Sequence, residues 1–404
     1  MLSFMVVLGC MSTVVNLPAQ NNESPKSEKQ TEKKWYEKIG LRGYTQVRYN
    51  RLLESNSSLK CDQCDKSIGE NGGFMIRRAR LVFSGQVSDN VYIYIQPDLA
   101  SSVSSGLHYA QIRDAYFDLS LDSLREFRFR IGQSKIPFGY ENLQSSSNRL
   151  PFDRADALNT AFPNERDLGI FFYWAPNHVR KLYSKMGKDE LKGTGDYGVV
   201  GFGTVNGQTA NKADANNTLH YIGRISYPLE IAGQIIEPGI QAFTGKYMIE
   251  STNPGTFSAG NYLDERVGVT LNVAPQPFGI LAEYNWGHGP RFQPKIAGDT
   301  TSFNRIEDSH LEGAYTTLSY KIDEWGQTFI PYLRGQYYNG GKKHETDARS
   351  YIVHEYEVGL EWQPVRAFEL TVAYTMSDRT ASDAKLLDNH QYGNFMRLQA
   401  QFNY

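Results

Sequence analysis

The sequence is poor in cysteine, in tryptophan and in long apolar runs. It has 3 Cys and 5 Trp among 404 residues, and three cysteines are too few for a disulfide-stabilised scaffold of this size. No stretch after residue 17 approaches the roughly 18 apolar residues of a membrane-spanning helix. The 42 Lys and Arg against 44 Asp and Glu give a net charge of −2. A uniformly basic nucleic-acid binder and a helical membrane protein are therefore both disfavoured.

Residues that build β-sheets are abundant. The chain has 26 Tyr, 21 Phe and 36 Gly, a composition typical of β-barrels with aromatic girdles. Its length allows two or three ordinary domains or one large closed sheet. The composition favours the sheet.

The first 37 residues differ from the rest. Residues 1–17 are uncharged and mostly apolar, and the small residue Ala19 follows two positions later. This pattern predicts a secretory signal peptide over residues 1–19, with cleavage after Ala19. A lipoprotein-like sequence ends at Cys10, but only nine residues precede that cysteine. Residues 20–37 are polar and charged, which predicts a flexible periplasmic tether.

From Lys38 onward, apolar and polar residues alternate with a period of two, as in β-strands with two different faces. In the first predicted strand, Leu41 and Val47 fall on one face, and Arg42 and Arg48 fall on the other. The same division recurs to the last residue. Short and long connections also alternate, which predicts about sixteen strands with both termini on one side.

The predicted turns and loops fall at regular intervals. Tight turns are predicted at 88–90, 274–277, 322–324 and 363–365. Longer loops are predicted at 51–73, 99–108, 134–166, 206–217, 249–261, 288–308, 340–350 and 379–392. One connection in the short series, residues 177–195, is long and basic, and a single helical turn is predicted there.

The polar faces carry arginine in at least five predicted strands. Burying these side chains in the core of a soluble sandwich, the alternative fold, would cost several kcal/mol each without partners. In a transmembrane barrel, the apolar face meets lipid and the polar face lines a water-filled lumen. The sequence therefore predicts an all-β protein, a single transmembrane antiparallel barrel over residues 38–404. Its short turns would be periplasmic and its long loops extracellular.

Six segments carry a family resemblance. They are LRGYTQVR (41–48), FMIRRARL (74–81), RDAY (113–116), GQSKIPFGYE (132–141), RLPFDRADALN (149–159) and ERDLG (165–169). Together they resemble the phosphate-selective porins O and P of Gram-negative outer membranes. The resemblance implies a sixteen-stranded homotrimeric porin that passes anions such as phosphate past luminal arginines, with its third long loop folded inward.

The same resemblance implies the surroundings of the protein. A porin of this kind contacts outer-membrane lipid and lipopolysaccharide. Its aromatic C-terminus, Phe402-Asn403-Tyr404, resembles the signal that the outer-membrane assembly machinery reads. No cofactor, metal or nucleic acid is expected as a partner. No Ser-His-acid order and no H-E-x-x-H spacing occurs, so we expect no enzyme.

Seven arginines have the parity of the luminal face. They are Arg42, Arg48, Arg78, Arg80, Arg128, Arg130 and Arg397. Because strands 16, 1 and 2 are neighbours in a closed barrel, all of these except Arg128 and Arg130 should share one wall. Guanidinium groups stay charged and offer forked donors to oxyanions. The alternative is that these arginines solvate the wall or pair with loop carboxylates.

The loop at 134–166 is longer than a simple connector needs to be, and its prolines stiffen it. It contains Lys135, Arg149 and Arg154, and we expect it to narrow the pore. The alternative is a cap over the external mouth.

Acidic residues on the remaining strands suggest a different kind of pore. Five have inward parity: Glu283, Glu312, Glu357, Glu361 and Glu369. A basic wall that faces an acidic wall creates a transverse field, as in general diffusion porins. Non-specific diffusion is therefore an alternative to anion preference. A binding or adhesion barrel with a plugged lumen is a third hypothesis.

Two smaller features complete the predictions. Cys61 and Cys64 lie in the first long loop and predict a structural disulfide in an oxidising compartment. A redox pair or half of a zinc site is the alternative, although no second Cys or His pair accompanies them. The aromatic run 171–174 predicts an interfacial girdle rather than a sugar-binding slide along the lumen.

Overall fold

The computed structural model describes residues 34–61, 68–69, 72–103, 106–249, 256–257, 260–296, 298, 301 and 303–404. The predicted signal peptide and most of the predicted tether lie outside these ranges. Trp35–Lys38 forms a 3-10 helix immediately before the first strand.

Within the described ranges, sixteen antiparallel strands line up in chain order. They are β1 (Gly40–Leu52), β2 (Phe74–Gln86), β3 (Val91–Val103), β4 (Gly106–Ser120), β5 (Phe127–Lys135), β6 (Arg166–Trp174), β7 (Val200–Val205), β8 (His220–Ser226), β9 (Gln234–Ile249), β10 (Gly260–Val273), β11 (Phe278–Gln293), β12 (Asn304–Tyr320), β13 (Gln327–Gly341), β14 (Ser350–Val365), β15 (Phe368–Ser382) and β16 (Asn389–Asn403). Because β1 pairs with both β2 and β16, the sheet is closed. The Gly43 N–H donates to the Tyr404 carbonyl oxygen at 2.6 Å, which places both ends of the barrel at one rim, as predicted.

Short and long connections alternate as expected, but several boundaries differ from the prediction. Ile322–Glu324 continues β12 as a short strand, and Leu229–Ile231 continues β8 in the same way. The turns after them are two-residue hairpins, such as Trp325-Gly326, where both residues have positive φ. The predicted turn at 363–365 belongs to β14. The predicted loop at 99–108 is largely strand.

Burial alternates along the strands. In β1, Tyr44, Gln46 and Arg48 are buried, whereas the residues between them are more exposed. The outward face carries exposed apolar side chains such as Leu41 (63%) and Phe202 (56%). A continuous apolar exterior of this kind is typical of a surface that meets lipid.

The helices are few and mostly short. Besides the 3-10 helix Trp35–Lys38, the described ranges contain α1 (Tyr140–Leu143), α2 (Asp156–Asn159), α3 (Asn177–Lys188) and the 3-10 helix Thr346–Ala348. The predicted single helical turn near residue 177 is in fact α3, whose 12 residues bury Val179, Tyr183 and Met186. Of the helices in the described ranges, none is long and apolar enough to cross a membrane.

A β-bulge interrupts the alternation at Arg113. Gln96 pairs with Asp114 and Pro97 pairs with Ile112, so Arg113 is the extra residue. Pro97 has no N–H to donate to a regular ladder, which favours an irregularity there. By alternation alone, Arg113 has the parity of Ala115, Phe117 and Leu119 on the apolar face, and the bulge explains why a charged residue falls there.

Candidate functional site

The connection between β5 and β6, residues 136–165, lies among the inward-facing side chains of the barrel. We call it the inner loop. Its residues Phe138 and Phe162 are buried, and their rings lie 4.9 and 4.7 Å from the ring of Phe243 on β9. This apolar packing holds the inner loop against one side of the lumen.

Asp153 holds the inner loop to another side of the barrel. Its carboxylate pairs with Arg48 on β1 at 3.4 Å and with Arg397 on β16. A third arginine, Arg77, lies 3.8 Å away. Burial raises the pKa of Asp153, but Arg48 and Arg397 outweigh this effect and hold the pKa well below its ordinary value. Asp153 is therefore a permanent counter-charge for two predicted luminal arginines.

Two more carboxylates fix the first helical turn of the inner loop. Glu283 on β11 accepts hydrogen bonds from the N–H groups of Tyr140 at 2.8 Å and Glu141 at 2.9 Å. The side chain of Glu141 in turn accepts a hydrogen bond from Arg334 on β13 at 2.9 Å. The inner loop thus contacts the wall from β9 round to β1.

Positive charge accumulates at the end of the inner loop. Four cations share the carboxylate of Glu165 at 2.6–3.5 Å: Lys135, Arg149, Arg154 and Arg166. Arg166 has a second partner, Asp114, at 2.9 Å. Burial raises the pKa of Glu165, but Arg149, Lys135 and Arg154 outweigh it and hold the pKa well below its ordinary value. The single carboxylate of Glu165 therefore neutralises only part of the positive charge at this end of the inner loop.

The seven predicted luminal arginines divide into paired and unpaired groups. Five pair with carboxylates: Arg48 and Arg397 with Asp153, Arg80 with Asp98 at 2.7 Å, Arg128 with Asp196 at 2.7 Å, and Arg130 with Asp118 at 2.7 Å. Arg42 and Arg78 have no carboxylate partner among the described residues. Arg78 instead donates to Gln46 Oε1 at 2.8 Å. The alternative prediction, pairing with carboxylates, therefore describes most of this set.

Several arginines lie near one another around Arg78. Strands β16, β1 and β2 are neighbours, so Arg397, Arg48 and Arg80 lie on the same part of the barrel. The charges of Arg77, Arg80 and Arg149 all act on Arg78. Arg128 and Arg130 lie apart from this wall, on β5.

A second insertion enters from the end that carries the short turns. After α3, residues 189–197 run into the lumen, and we call them the lower segment. Lys192 Nζ donates to Glu361 on β14 at 2.5 Å. The Lys192 carbonyl accepts from Gln144 Nε2 at 2.5 Å, and the Gly193 carbonyl accepts from Asn148 Nδ2 at 2.6 Å. The inner loop and the lower segment therefore meet inside the barrel.

A cavity of about 900 Å³ lies at the short-turn end, between the walls of β1 to β5, the inner loop and the lower segment. We call it the vestibule. Its lining includes Arg42, Tyr94 and Tyr116. The rings of Tyr94 and Tyr116 are stacked with centroids 5.1 Å apart. The guanidinium carbon of Arg130 lies 4.0 Å from the centroid of Tyr116.

The family model described as phosphate-selective porin O and P matches residues 56–404. The chain belongs to this family. A comparison with curated proteins finds no match.

Solved porin structures share the fold of this porin. The channel DcaP of Acinetobacter baumannii is 13% identical, with a TM-score of 0.55 over 91% of this chain and 97% of DcaP. An anion-selective porin from Comamonas acidovorans is 10% identical, with a TM-score of 0.54 over 91% and 99%. Salmonella typhi OmpF, in a complex with daunomycin, is 12% identical, with a TM-score of 0.53 over 91% and 97%.

The acidic residues of this porin do not form a separate opposite wall. Glu283, Glu357 and Glu361 are buried and face inward, and Glu369 contacts Gln401 across the inward face. Glu357 pairs directly with Arg397 at 2.8 Å, so acidic and basic side chains interleave. This interleaving weakens the case for a transverse field.

The predicted inward orientation of Glu312 is wrong. In the register of β11 and β12, Glu312 pairs with Trp286, whereas the inward residue Glu283 pairs with Tyr315. Glu312 and Tyr315 are three positions apart, so the two side chains lie on opposite faces. Glu312 accepts a hydrogen bond from the Tyr284 hydroxyl at 3.0 Å. Glu312 lies midway along β12, where both faces carry polar residues, which makes parity ambiguous.

The predicted aromatic girdle at residues 171–174 is wrong for two of its four members. Phe171 and Tyr173 are buried and pack with the inner loop. Only Phe172 and Trp174 can face outward, because successive side chains alternate. The lumen therefore holds more aromatic side chains than the sequence indicated.

Cys61 lies at the long-loop end of the porin. It forms a disulfide, and the predicted partner, Cys64, lies outside the described residues. Cys61 packs with Leu59, Ile68 and Phe395, so this loop folds onto the inward face of β16. In the described ranges, no group of three or more His, Cys, Asp and Glu side chains is arranged to hold a metal ion.

Sequence reasoning missed the contacts that organise the site. Asp153 and Glu165 were visible as acids in a basic loop, but their partners depend on the path of that loop. Lys192 lies in a connection that is unusually long for the short-turn series, and this length was the only signal in the sequence. Tyr94 and Tyr116 gave a clearer signal, since both have the parity of the luminal face.

Proposed function

We propose that this chain is an outer-membrane porin for the passive diffusion of small hydrophilic solutes, and that it prefers anions such as phosphate. Family membership and the fold shared with solved porins support the proposal that the chain forms a diffusion pore. A cleaved signal over residues 1–19 would export it. Like a solved porin described in trimer form, OmpT of Vibrio cholerae, it would assemble as a homotrimer among outer-membrane lipid and lipopolysaccharide. Phe402-Asn403-Tyr404 would engage the assembly machinery.

The observation that carries the anion preference is the excess of positive charge around Arg78. This guanidinium is buried, with 7% of its surface exposed, and its polar contact is the neutral side chain of Gln46. Arg149, a loop cation whose charge acts on Arg78, shares a single carboxylate, Glu165, with three other cations. An oxyanion that entered this region would supply the missing negative charge and accept forked hydrogen bonds.

Passage also requires that the anion leave again. Arg42 lies four residues before Gln46 on the same face of β1, at the vestibule. Arg78 and Arg42 would therefore offer two spaced, weak sites along the wall. Multiple weak sites permit conduction, whereas a single strong site would trap the ion. The inner loop, with Lys135, Arg149 and Arg154, would form the narrow region.

The test is a measurement of reversal potential in planar lipid bilayers under a KCl gradient. The native protein should give the sign of an anion-preferring channel. Arg78→Gln should move the potential toward cation preference, because it removes the unpaired charge at the narrow region. The shift should be larger in dilute KCl than near 1 M, since the screening length falls from about 10 Å at 0.1 M to about 3 Å at 1 M.

Arg51→Gln is the matched control. Arg51 ends on the exposed side of β1, where it pairs with Glu54 at 2.9 Å, so its loss should leave the potential unchanged. If Arg78→Gln and Arg51→Gln behave alike in dilute salt, the wall around Arg78 does not set selectivity. Absence of conductance from correctly folded protein would favour a binding barrel instead.

A further inference from the structure

A row of inward side chains crosses neighbouring strands in the vestibule, and one position in it carries no ring. Register aligns Tyr116 on β4 with Tyr94 on β3, and Tyr94 with Ser84 on β2. Ser84 is aligned with Gly40 on β1, two residues from Arg42. Beside Tyr94, the row therefore holds only the small side chain of Ser84, while the inward residue directly opposite Arg42 is Val82.

The stack of rings ends at Tyr94. Arg130 covers Tyr116 at 4.0 Å, and Tyr116 stacks on Tyr94 with an angle of 9° between the ring planes. In the described part of the chain, no second ring and no guanidinium lies against Tyr94. Adjacent strands are about 4.8 Å apart, so β1 and β3 are separated by roughly 10 Å. That gap admits one more planar ring at an ordinary stacking distance of about 4.5–7 Å.

Arg42 stands at the far side of this gap with its charge uncompensated. It is exposed to the vestibule, and in the described ranges it has no ion pair. Five acids line the same cavity. Three are engaged in short ion pairs: Asp114 with Arg166, Asp118 with Arg130 and Asp196 with Arg128. Glu190 lies 3.5 Å from Arg366, and Glu369 accepts hydrogen bonds from Gln401 and Asn403. The free guanidinium therefore selects a negatively charged group.

We propose that the vestibule holds a subsite for a planar aromatic carboxylate. Its ring stacks on the open face of Tyr94, above Ser84, and its carboxylate accepts hydrogen bonds from Arg42. The subsite builds on the proposed porin function, because a solute that crosses the pore passes through the vestibule. It extends the substrates from inorganic anions to ring-bearing acids.

The test measures binding of two acids that differ in their ring. Saturation-transfer NMR on the purified full-length protein in detergent compares benzoate with cyclohexanecarboxylate, which has the same charge and a similar size but no aromatic face. We expect benzoate to bind more tightly. Tyr94→Leu should weaken benzoate binding roughly three- to tenfold and leave cyclohexanecarboxylate nearly unchanged. Arg42→Gln should weaken both acids.

Two further variants separate local from general effects. Ser84→Phe fills the gap and should abolish the preference for benzoate. Tyr221→Leu removes an outward-facing ring, 61% exposed on β8, and should change nothing. Circular dichroism and heat-modified electrophoretic mobility verify that each variant is folded. Equal binding of the two acids, or unchanged benzoate binding in folded Tyr94→Leu and Ser84→Phe, would overturn the subsite.

Bilayer conductance of the same preparations separates this inference from the proposed function. Conducting protein that does not distinguish benzoate from cyclohexanecarboxylate contradicts the subsite alone. Protein that binds benzoate through Tyr94 but does not conduct contradicts the porin function and leaves the subsite standing.

Discussion

Asp153 is the shared partner of two buried arginines, Arg48 and Arg397. Strand parity does not predict this pairing. Alternation alone was enough to predict that Arg48 and Arg397 face inward, because side chains on a strand have a strict period of two. Their shared partner is on the inner loop, and its position follows from how that loop crosses the lumen. Local sequence patterns carry no information about such a path.

Asp153→Asn should destabilise the barrel and raise its anion preference. The substitution leaves Arg48 and Arg397 buried without this counter-charge, and removal of one partner from a buried ion pair typically costs about 3–5 kcal/mol. A lower urea midpoint in detergent would show the first effect, and a reversal potential shifted toward anions would show the second. Asp89→Asn, in the exposed turn between β2 and β3, is the control. Equal effects from the two variants would mean that Asp153 does not neutralise the wall.

Three carboxylates of the inner loop should stay ionised down to acidic pH. The pKa values of Asp153 and Glu165 are held well below ordinary by their cations, and Arg379 and Lys342 outweigh burial to lower the pKa of Asp156 to about 2. Since these folded values lie below those of unfolded carboxylates, their stabilising effect is full above about pH 4. It is lost as pH falls toward the folded values.

The difference in reversal potential between the native protein and Asp153→Asn should therefore be the same at pH 7 and pH 5. This difference isolates Asp153 from other inward carboxylates that titrate. Unfolding midpoints followed by circular dichroism should fall only under more acidic conditions. A change of this difference with a midpoint between pH 5 and 7 would contradict the assignment of Asp153 as permanently ionised.

Among the structural elements, the lower segment is the one that sequence reasoning understated. The strands were recognisable because each has two distinct faces, and the inner loop was recognisable from its length and its family resemblance. Residues 177–195 indicated only an unusual turn. The contacts of Lys192, Gln144 and Asn148 join segments that are far apart in sequence, so no local pattern reports them. Glu312 and Arg113 show the same limit, since a strand with polar residues on both faces and a bulge each make parity an unreliable guide to orientation.

Lys192→Gln should release the lower segment from the wall. It removes the ion pair with Glu361, in which both side chains are almost fully buried, and leaves that carboxylate without its cation. Single-channel recordings should show larger current fluctuations, because the segment at the exit of the lumen moves more freely. Lys188→Gln, at the exposed end of α3, removes the same charge and should leave the current steady. Indistinguishable traces would mean that Lys192 does not anchor the segment.

The whole molecule was predictable as a closed barrel because closure follows from an apolar exterior and an unbroken series of strands.

The orientation of the barrel in the membrane is testable by labelling. A cysteine introduced at Ser57, exposed in the first long loop, should react with an impermeant maleimide in intact cells. A cysteine introduced at Asp89, in a short turn, should react only after the outer membrane is permeabilised. The reverse pattern would show that the long loops face the periplasm.

The meeting of the inner loop and the lower segment constrains the order of folding. These insertions enter from opposite ends, and the Lys192 contact with Glu361 spans 169 positions of sequence. Such long-range contacts are slow to form, because the entropy cost of closing the loop comes before the contact can contribute any favourable free energy. Once the seam between β1 and β16 is closed, each insertion can enter the lumen only through its own end of the barrel. Entry before closure avoids this restriction, so we expect the pore interior to be assembled before the wall is complete.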